Sequence, residues 1–290
     1  MYLRAQGEIQ HTLADDQPLP DLKDLLVEAV GQPIRRISRF IQLAIIGAAR
    51  CARGVALPAD TAVYFASSRG DLEITVDVLN TVYREGLSPK PLSFVNTVSN
   101  SAAFYIAKCL KLDARSSFAC SRYFAFENAL QLALLDMQMG ITTSALIGSV
   151  DSVVLPLSAH RERLELDGSA PVAEGSHWFW FTRERTGDDR CIRVEEVFNS
   201  GDRDQLIRWL AGVKTAASAF AAGQYLPDAD AADIQAASGI QRTLAYLTSG
   251  HYPSQSAAVV SAFKRSSDLD AVVHVNRDSI GRYGALLLRR

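Results

Sequence analysis

Short β-rich runs alternate with amphipathic helical stretches along almost the whole chain, and few architectures accommodate that pattern. Residues 61–67 (TAVYFAS) read as a buried strand. After Ser68, Arg69 and Gly70, the acidic residues Asp71 and Glu73 open an amphipathic helix running to about Tyr83; negative charge in a first turn suits the helix dipole. Upstream, Leu22, Leu25, Leu26, Val27 and Val30 recur at helical spacing, and Ile37, Phe40, Ile41, Ala44 and Ile45 do so again after the break at Pro33. Pro89 and Pro91 mark a loop, and residues 96–110 form a helix rich in small side chains. Residues 116–120 and 142–150 are strands around a helix over 125–139. That helix carries Phe126, Leu130, Ala133, Leu134 and Met137 on one side and ends at Gly140.

Beyond the polar stretch 160–168 the alternation resumes. Residues 177–182 (HWFWFT) and 191–197 (CIRVEEV) are strands joined by a turn over 183–190. Residues 202–222 read as a helix, 228–232 as a loop, 233–237 as a short strand and 254–263 as a helix. Residues 271–276 and 283–288 form the last strands. The expected fold class is α/β, built in layers. One compact domain is expected, divided at the polar stretch into halves of about 20–160 and 161–290 with a similar order of elements.

Composition narrows the function. The chain has 290 residues, 48% hydrophobic and 21% charged, with a net charge of -2. That supports a large core and offers no electrostatic reason to bind nucleic acid or an anionic membrane. The longest apolar runs, such as 43–49, are too short to span a bilayer, and the N-terminus has no apolar signal core, so a cytoplasmic location is expected. Cys51, Cys109, Cys120 and Cys191 form no CxxC pair and no histidine stands at metal-ligand spacing from them; reduced, mostly buried thiols are expected. There is no P-loop, no GxGxxG after a strand and no zinc motif, so no cofactor or metal is expected. Trp178 and Trp180 alternate with Phe179 as a strand core should. Arg35, Arg36 and Arg39 form either a solvated helix face or a basic patch for an acidic carrier protein, and Arg289 and Arg290 a solvated tail.

Several segments, in collinear order over most of residues 34–290, resemble β-ketoacyl synthases of the thiolase-like fold. RRISRFIQLAIIGAA is similar to the helix that begins many ketosynthase cores, and VYFASSRGDLEITVDVL to the strand, glycine turn and helix that follow. SPKPLSFVNTVSNSAAFYIAK resembles the family's SP…F…V-N segment, which leads into a helix at the dimer interface. GITTSALIGSVD resembles the strand after the nucleophile helix, and LDGSAPVAEGSHWFWF the segment that begins the second half. ADIQAASG resembles D-x-V-x-A-H-G, TSGHYPSQSAAVVSAF resembles K-S-x-x-G-H…A-A-G, and VNRDSIGRYGALLL the last turn and strand. The FASSRGDLEIT and SPKPLSFVNTVSN stretches are most similar to a short, chain-length-factor-like group found with aryl polyene and xanthomonadin-type pathways. The resemblance implies two similar βαβαβ-type halves in an α-β-α-β-α stack.

It also implies site residues. A decarboxylating ketosynthase carries its acyl chain on a cysteine thiolate at a helix N-terminus, and two histidines polarise the malonyl carbonyl. Counting back without gaps from Gly140 places the nucleophile position on Tyr123, whose phenol has a reference pKa of about 10 and is a poor acyl acceptor. The first histidine position falls on Ser238, the second on His251, and the lysine on Tyr246. The alternative nucleophile is Cys120, because FACS is similar to the T-A-C-S of a ketosynthase; that alignment needs three extra residues before Gly140 and rotates the helix's apolar face. Cys120 reads otherwise as a buried thiol at a strand end, Tyr123 as an aromatic plug, and His251 as a hydrogen-bonded remnant. Three functions are therefore expected to compete. The first is a non-catalytic, chain-length-factor-like partner of an active ketosynthase, with an acyl carrier protein as a second partner. The second is an acyltransferase or condensing enzyme using Cys120 and His251, and the third a homodimeric scaffold.

Overall fold

The computed structural model describes residues 1–13, 17–98, 100–185, 191–213, 218–248 and 250–290. The chain opens with a strand, β1 (Tyr2–Leu13), followed by α1 (Lys23–Val30), α2 (Arg39–Ala52), β2 (Ala62–Ser67), α3 (Leu72–Tyr83), α4 (Pro91–Asn96), α5 (Ser101–Leu110) and β3 (Ser116–Cys120). Then come α6 (Ala125–Gln138), β4 (Ser144–Asp151), α7 (Leu157–Leu164) and β5 (Val172–Thr182). The remainder is β6 (Arg193–Gly201), α8 (Arg203–Ala211), β7 (Ser218–Ala222), α9 (Asp228–Ser238), β8 (Arg242–Thr243), α10 (Ala258–Arg265), β9 (Ala271–Arg277) and β10 (Tyr283–Arg289).

The strands follow the order β3-β2-β4-β5-β1-β6-β10-β9-β7-β8. Read outward from the middle, this is one arrangement written twice. In each half three parallel strands (β3, β2, β4 and β8, β7, β9) are followed by two antiparallel ones (β5, β1 and β10, β6). The two runs meet at the ends of β1 and β6, where the Leu3 amide donates to Ile192 O at 2.8 Å and the Val194 amide to Met1 O at 3.0 Å.

Side-chain burial sorts the helices into three layers. α1, α2 and α5 cover one face of the first five strands through Leu26, Phe40, Ile45 and Ile106. α6 and α10 lie between the two strand sets, where Phe126, Leu130 and Phe263 meet Tyr64, Ile147, Ala219 and Val272. α8 and α9 cover the far face through Leu206, Leu210 and Ile234. The result is the expected α-β-α-β-α stack.

Four sequence expectations change. The N-terminal residues, left unassigned above, form β1, whose alternating burial (Leu3, Ala5, Gly7, Ile9) marks a strand in the middle of the sheet. Residues 218–222, expected in a helix, are β7: Ala219 and Ala221 face the central helices while Phe220 faces the outer ones, a period of two hidden by alanine-rich composition. Residues 228–237, expected as a loop and strand, belong to α9, with Pro227 at the cap, Asp228 and Asp230 in the first turn and Gly239 left-handed at φ 71° after it. Finally, β5 pairs with β4 and β1, so the repeat of strand order changes over between residues 182 and 193, later than the polar stretch at 160–168. The turn expected over 183–190 falls largely outside the described residues.

The arginines also depart from expectation. Arg39 forms a two-pronged ion pair with the fully buried Glu174, which His11 joins at 2.9 Å, pinning α2 to β5 and β1. Arg290 donates to Phe263, Ser266 and Leu269 carbonyls, closing the C-terminal end of α10, and its guanidinium lies 4.9 Å from the Phe263 ring. Arg289 pairs with Glu195.

Candidate functional site

The parallel strands β2, β3 and β4 end together, and the head of α6 rises beside them, which is where open α/β sheets build sites. Tyr123 stands two residues before α6, under the Arg122 guanidinium, which lies 5.3 Å from its ring and pairs with Glu165 at 2.8 Å. The Tyr123 ring meets Tyr225 edge-on at 4.9 Å, and Tyr225 meets His251 edge-on at 5.7 Å. The fold therefore joins two of the expected positions, Tyr123 and His251, through a third aromatic ring.

Tyr225 reaches this place on the loop after β7. Gly223 is required there, because a Cβ would lie 2.6 Å from the Asn276 side chain. Asn276, buried at the end of β9, clamps both tyrosines by their backbones: its Nδ2 donates to Tyr123 O at 3.2 Å and its Oδ1 accepts from the Tyr225 amide at 3.2 Å. Burial, aided by the charge of Asp151, pushes the Tyr225 phenol well above its usual range.

His251 is stitched to the start of β5, its amide donating to Pro171 O and its carbonyl accepting from the Ala173 amide, both at 3.0 Å. Burial pushes its imidazole down to about 4, so the ring is neutral at pH 7, and its buried Nε2 has no hydrogen-bond partner among the described residues. The neighbouring Tyr252 is fully buried. Its hydroxyl bonds His177 Nε2, His177 Nδ1 lies 3.2 Å from Glu8, and Gly175 leaves room for the Tyr252 ring.

Asp151, at the end of β4, is the polar centre of the region. Its buried carboxylate accepts from the Ser67 and Ser68 hydroxyls at 2.9 Å, the Ser68 amide at 3.0 Å, and the Ser254 amide at 2.8 Å, with the Ser254 hydroxyl as a fifth donor. Burial raises its pKa while these donors oppose the shift. The cluster ties the end of β2 to the loop that carries His251.

Cys120 ends β3 in the outermost strand and is exposed, where sequence reading expected a buried thiol; its Sγ lies 3.5 Å from Ser68 O. Burial of the sulfur first, and then the Asp151 charge, raise its pKa, the opposite of what an acylated nucleophile needs. Ser238 is not brought to the site. It closes α9, its hydroxyl donating to Gln235 O at 2.7 Å and accepting from the Ile240 amide at 3.2 Å. Tyr246 is buried in the central layer, bonded to His274 Nε2 at 2.8 Å. Sequence reasoning missed Tyr225, Asn276 and Asp151; the signals were Gly223 directly after a strand and the lone acid closing an apolar one. Among the described residues no group of three His, Cys, Asp or Glu could hold a metal ion, and no helix is long and apolar enough to cross a membrane.

The layered stack and the repeated strand order define a thiolase-like α/β fold. No family model matches the sequence, and no curated protein matches it. Solved structures do. The ishigamide ketosynthase/chain length factor aligns over 91% of this chain and 84% of its own, at 19% identity and a TM-score of 0.69. A type II polyketide ketosynthase complex, AntDE with its acyl-carrier protein AntF, aligns over 99% and 98%, at 14% identity and 0.75. The ketosynthase ApeO in complex with its chain length factor ApeC, from Xenorhabdus doucetiae, aligns over 100% of both, at 13% identity and 0.55.

Proposed function

We propose that this chain is a non-catalytic ketosynthase homologue that pairs with an active ketosynthase and shapes its acyl channel, as chain length factors do. The observation that supports this reading is Tyr123 at the head of α6, wedged between Arg122 and Tyr225, at the position that the sequence resemblance assigns to the nucleophile. The histidine positions support it. With residues 233–238 helical, the A-H-G pattern fits the end of β7 better, where Ala221, Ala222 and Gly223 put an alanine at the first histidine position. His251 remains as a neutral imidazole, edge-on to Tyr225.

The partner-facing surface is the open edge of β3 with the helices beside it. Among the described residues β3 is bonded on one side only, to β2. Beside it α5 exposes Phe104 (60%), and α4 and the turn that follows expose Phe94 (58%), Val95 and Val98. Unpaired strand edges and clustered apolar side chains are the ordinary materials of a subunit interface. The finer assignment to an aryl polyene-like pathway, and an acyl carrier protein as a second partner, rest on the sequence resemblance and on neighbours that contain such partners.

Intact-protein mass spectrometry after incubation with acyl-loaded carrier protein and acyl-CoA tests the reading. No adduct on the wild type, together with co-purification of a catalytic ketosynthase, supports it. An adduct that disappears in Cys120→Ala overturns it in favour of an enzyme using Cys120 and His251. No adduct and no ketosynthase partner would leave the homodimeric scaffold.

A further inference from the structure

A cavity of ≈ 160 Å³ lies between the end of β2, the first turns of α2 and α5, and β3. One side is apolar, formed by Phe40, Ile41, Ala102 and Phe118. The other presents Arg69, Asp71 and Asn96. Two of these polar groups are incomplete. Asn96 is only 4% exposed, and its Nδ2 donates to Arg36 O at 3.2 Å, while its buried Oδ1 has no hydrogen-bond partner among the described residues. Arg69 donates through Nη2 to Arg163 O, while its buried Nε is likewise unmatched.

We propose that this cavity binds a small neutral molecule with an apolar body about the size of a benzene ring and one hydroxyl group. A hydroxyl both donates and accepts, so one oxygen in this space answers a lone acceptor and a lone donor together. The volume matches that of cavities that accept benzene and is several times the roughly 30 Å³ share of one water. Charge argues for neutrality: Arg69 and Asp71 stand in the same wall, and Asp71 is held by the Ser38 hydroxyl and capped by the Ile74 amide at 3.4 Å. Asn96 also lines an outer groove of ≈ 1030 Å³ beside α3 and α4. Cys120 also lines the cavity, but the proposal calls on no chemistry at that thiol and none at His251, so its failure and that of the partner-subunit reading are read separately.

Titration calorimetry or ligand-observed NMR with phenol, benzene and benzoate, on the purified chain, tests the inference. Phenol binds saturably and about tenfold more tightly than benzene, the worth of a buried hydrogen bond. Ala102→Leu, which fills the cavity from α5, abolishes phenol binding, and Asn96→Ala reduces it to that of benzene. Absence of saturable phenol binding, phenol binding that survives Ala102→Leu, or tighter binding of benzoate than of phenol would each overturn the proposal. The Ala102→Leu outcome stands by itself should Asn96→Ala not fold.

Discussion

The two halves share a strand order and differ in how they are finished. The first half ends in β3, five residues long and open along one side, with exposed aromatic residues beside it. The second ends in β8, only two residues long, Arg242 and Thr243, with Arg242 paired to Asp268. A short, charged edge is the ordinary way to prevent pairing, and the long edge lacks that protection. One topology has thus been closed at one end and left available at the other. The ion pairs follow the same division. Glu174 in the first half has a fully buried side chain, whereas Asp230, which pairs with Arg277 at 2.6 Å in the second, is about one-third exposed.

The largest expected effect tests that division of ion pairs. Glu174→Ala leaves Arg39 and His11 without their buried partner and should cost about 3–5 kcal/mol in urea unfolding. Asp230→Ala, which breaks a half-exposed pair, should cost under about 1 kcal/mol. Equal losses would remove the distinction.

A second effect comes from the seam between the halves. Glu127 of α6 and His274 of β9 face each other at 3.6 Å, both fully buried. Burial raises the Glu127 carboxyl to about 7 and lowers the His274 imidazole to about 3, so both are neutral in the folded protein between those values. Below about pH 6.5 the unfolded chain binds a proton at His274 that the folded one does not, so this group makes stability rise with pH from 3 to 6.5. Above about pH 4.5 the unfolded chain releases a proton from Glu127 that the folded one keeps, so stability falls with pH from 4.5 to 7. The slopes, about 1.4 kcal/mol per pH unit each, oppose one another between 4.5 and 6.5. Glu127→Gln should therefore unmask a stability that rises with pH across that window, and His274→Phe one that falls. Parallel curves for wild type and both variants, measured by denaturant titration at several pH values, would show that the seam does not titrate.

The smallest change in stability should carry the largest change in assembly. Phe104→Glu and Val98→Glu alter exposed positions and should shift stability by no more than about 0.5 kcal/mol, yet abolish co-purification with a ketosynthase. Thr243→Lys, at the closed edge, should change neither. Loss of the partner through Thr243→Lys instead would exchange the roles of the two edges.

Much of the fold was legible before the structure. The periodicities of α2, α6, β2 and β4 are strong because each element buries one stripe or a whole run, and Gly140 and Asp71 mark ends by local chemistry. Where alanine dominates, the signal fades: small side chains satisfy a helix and a doubly buried strand equally, and β7 and α9 were exchanged for that reason. Ser238 went astray with α9. Of the candidate site, Tyr123 and His251 were legible through motif spacing, but Tyr225, Asn276 and Asp151 were not, because each acts on partners brought near only by folding.

By itself the sequence determined the layered α/β class and most of its helices, with Tyr123 set just before α6, since these depend on local spacing and residue chemistry. Only the tertiary structure decided that Tyr225 joins Tyr123 to His251, that Asp151 gathers three serines, and that β3 is open while β8 is closed. Those facts depend on contacts between segments far apart in the chain, and hydrophobic periodicity records which face of an element is buried without recording what it is buried against.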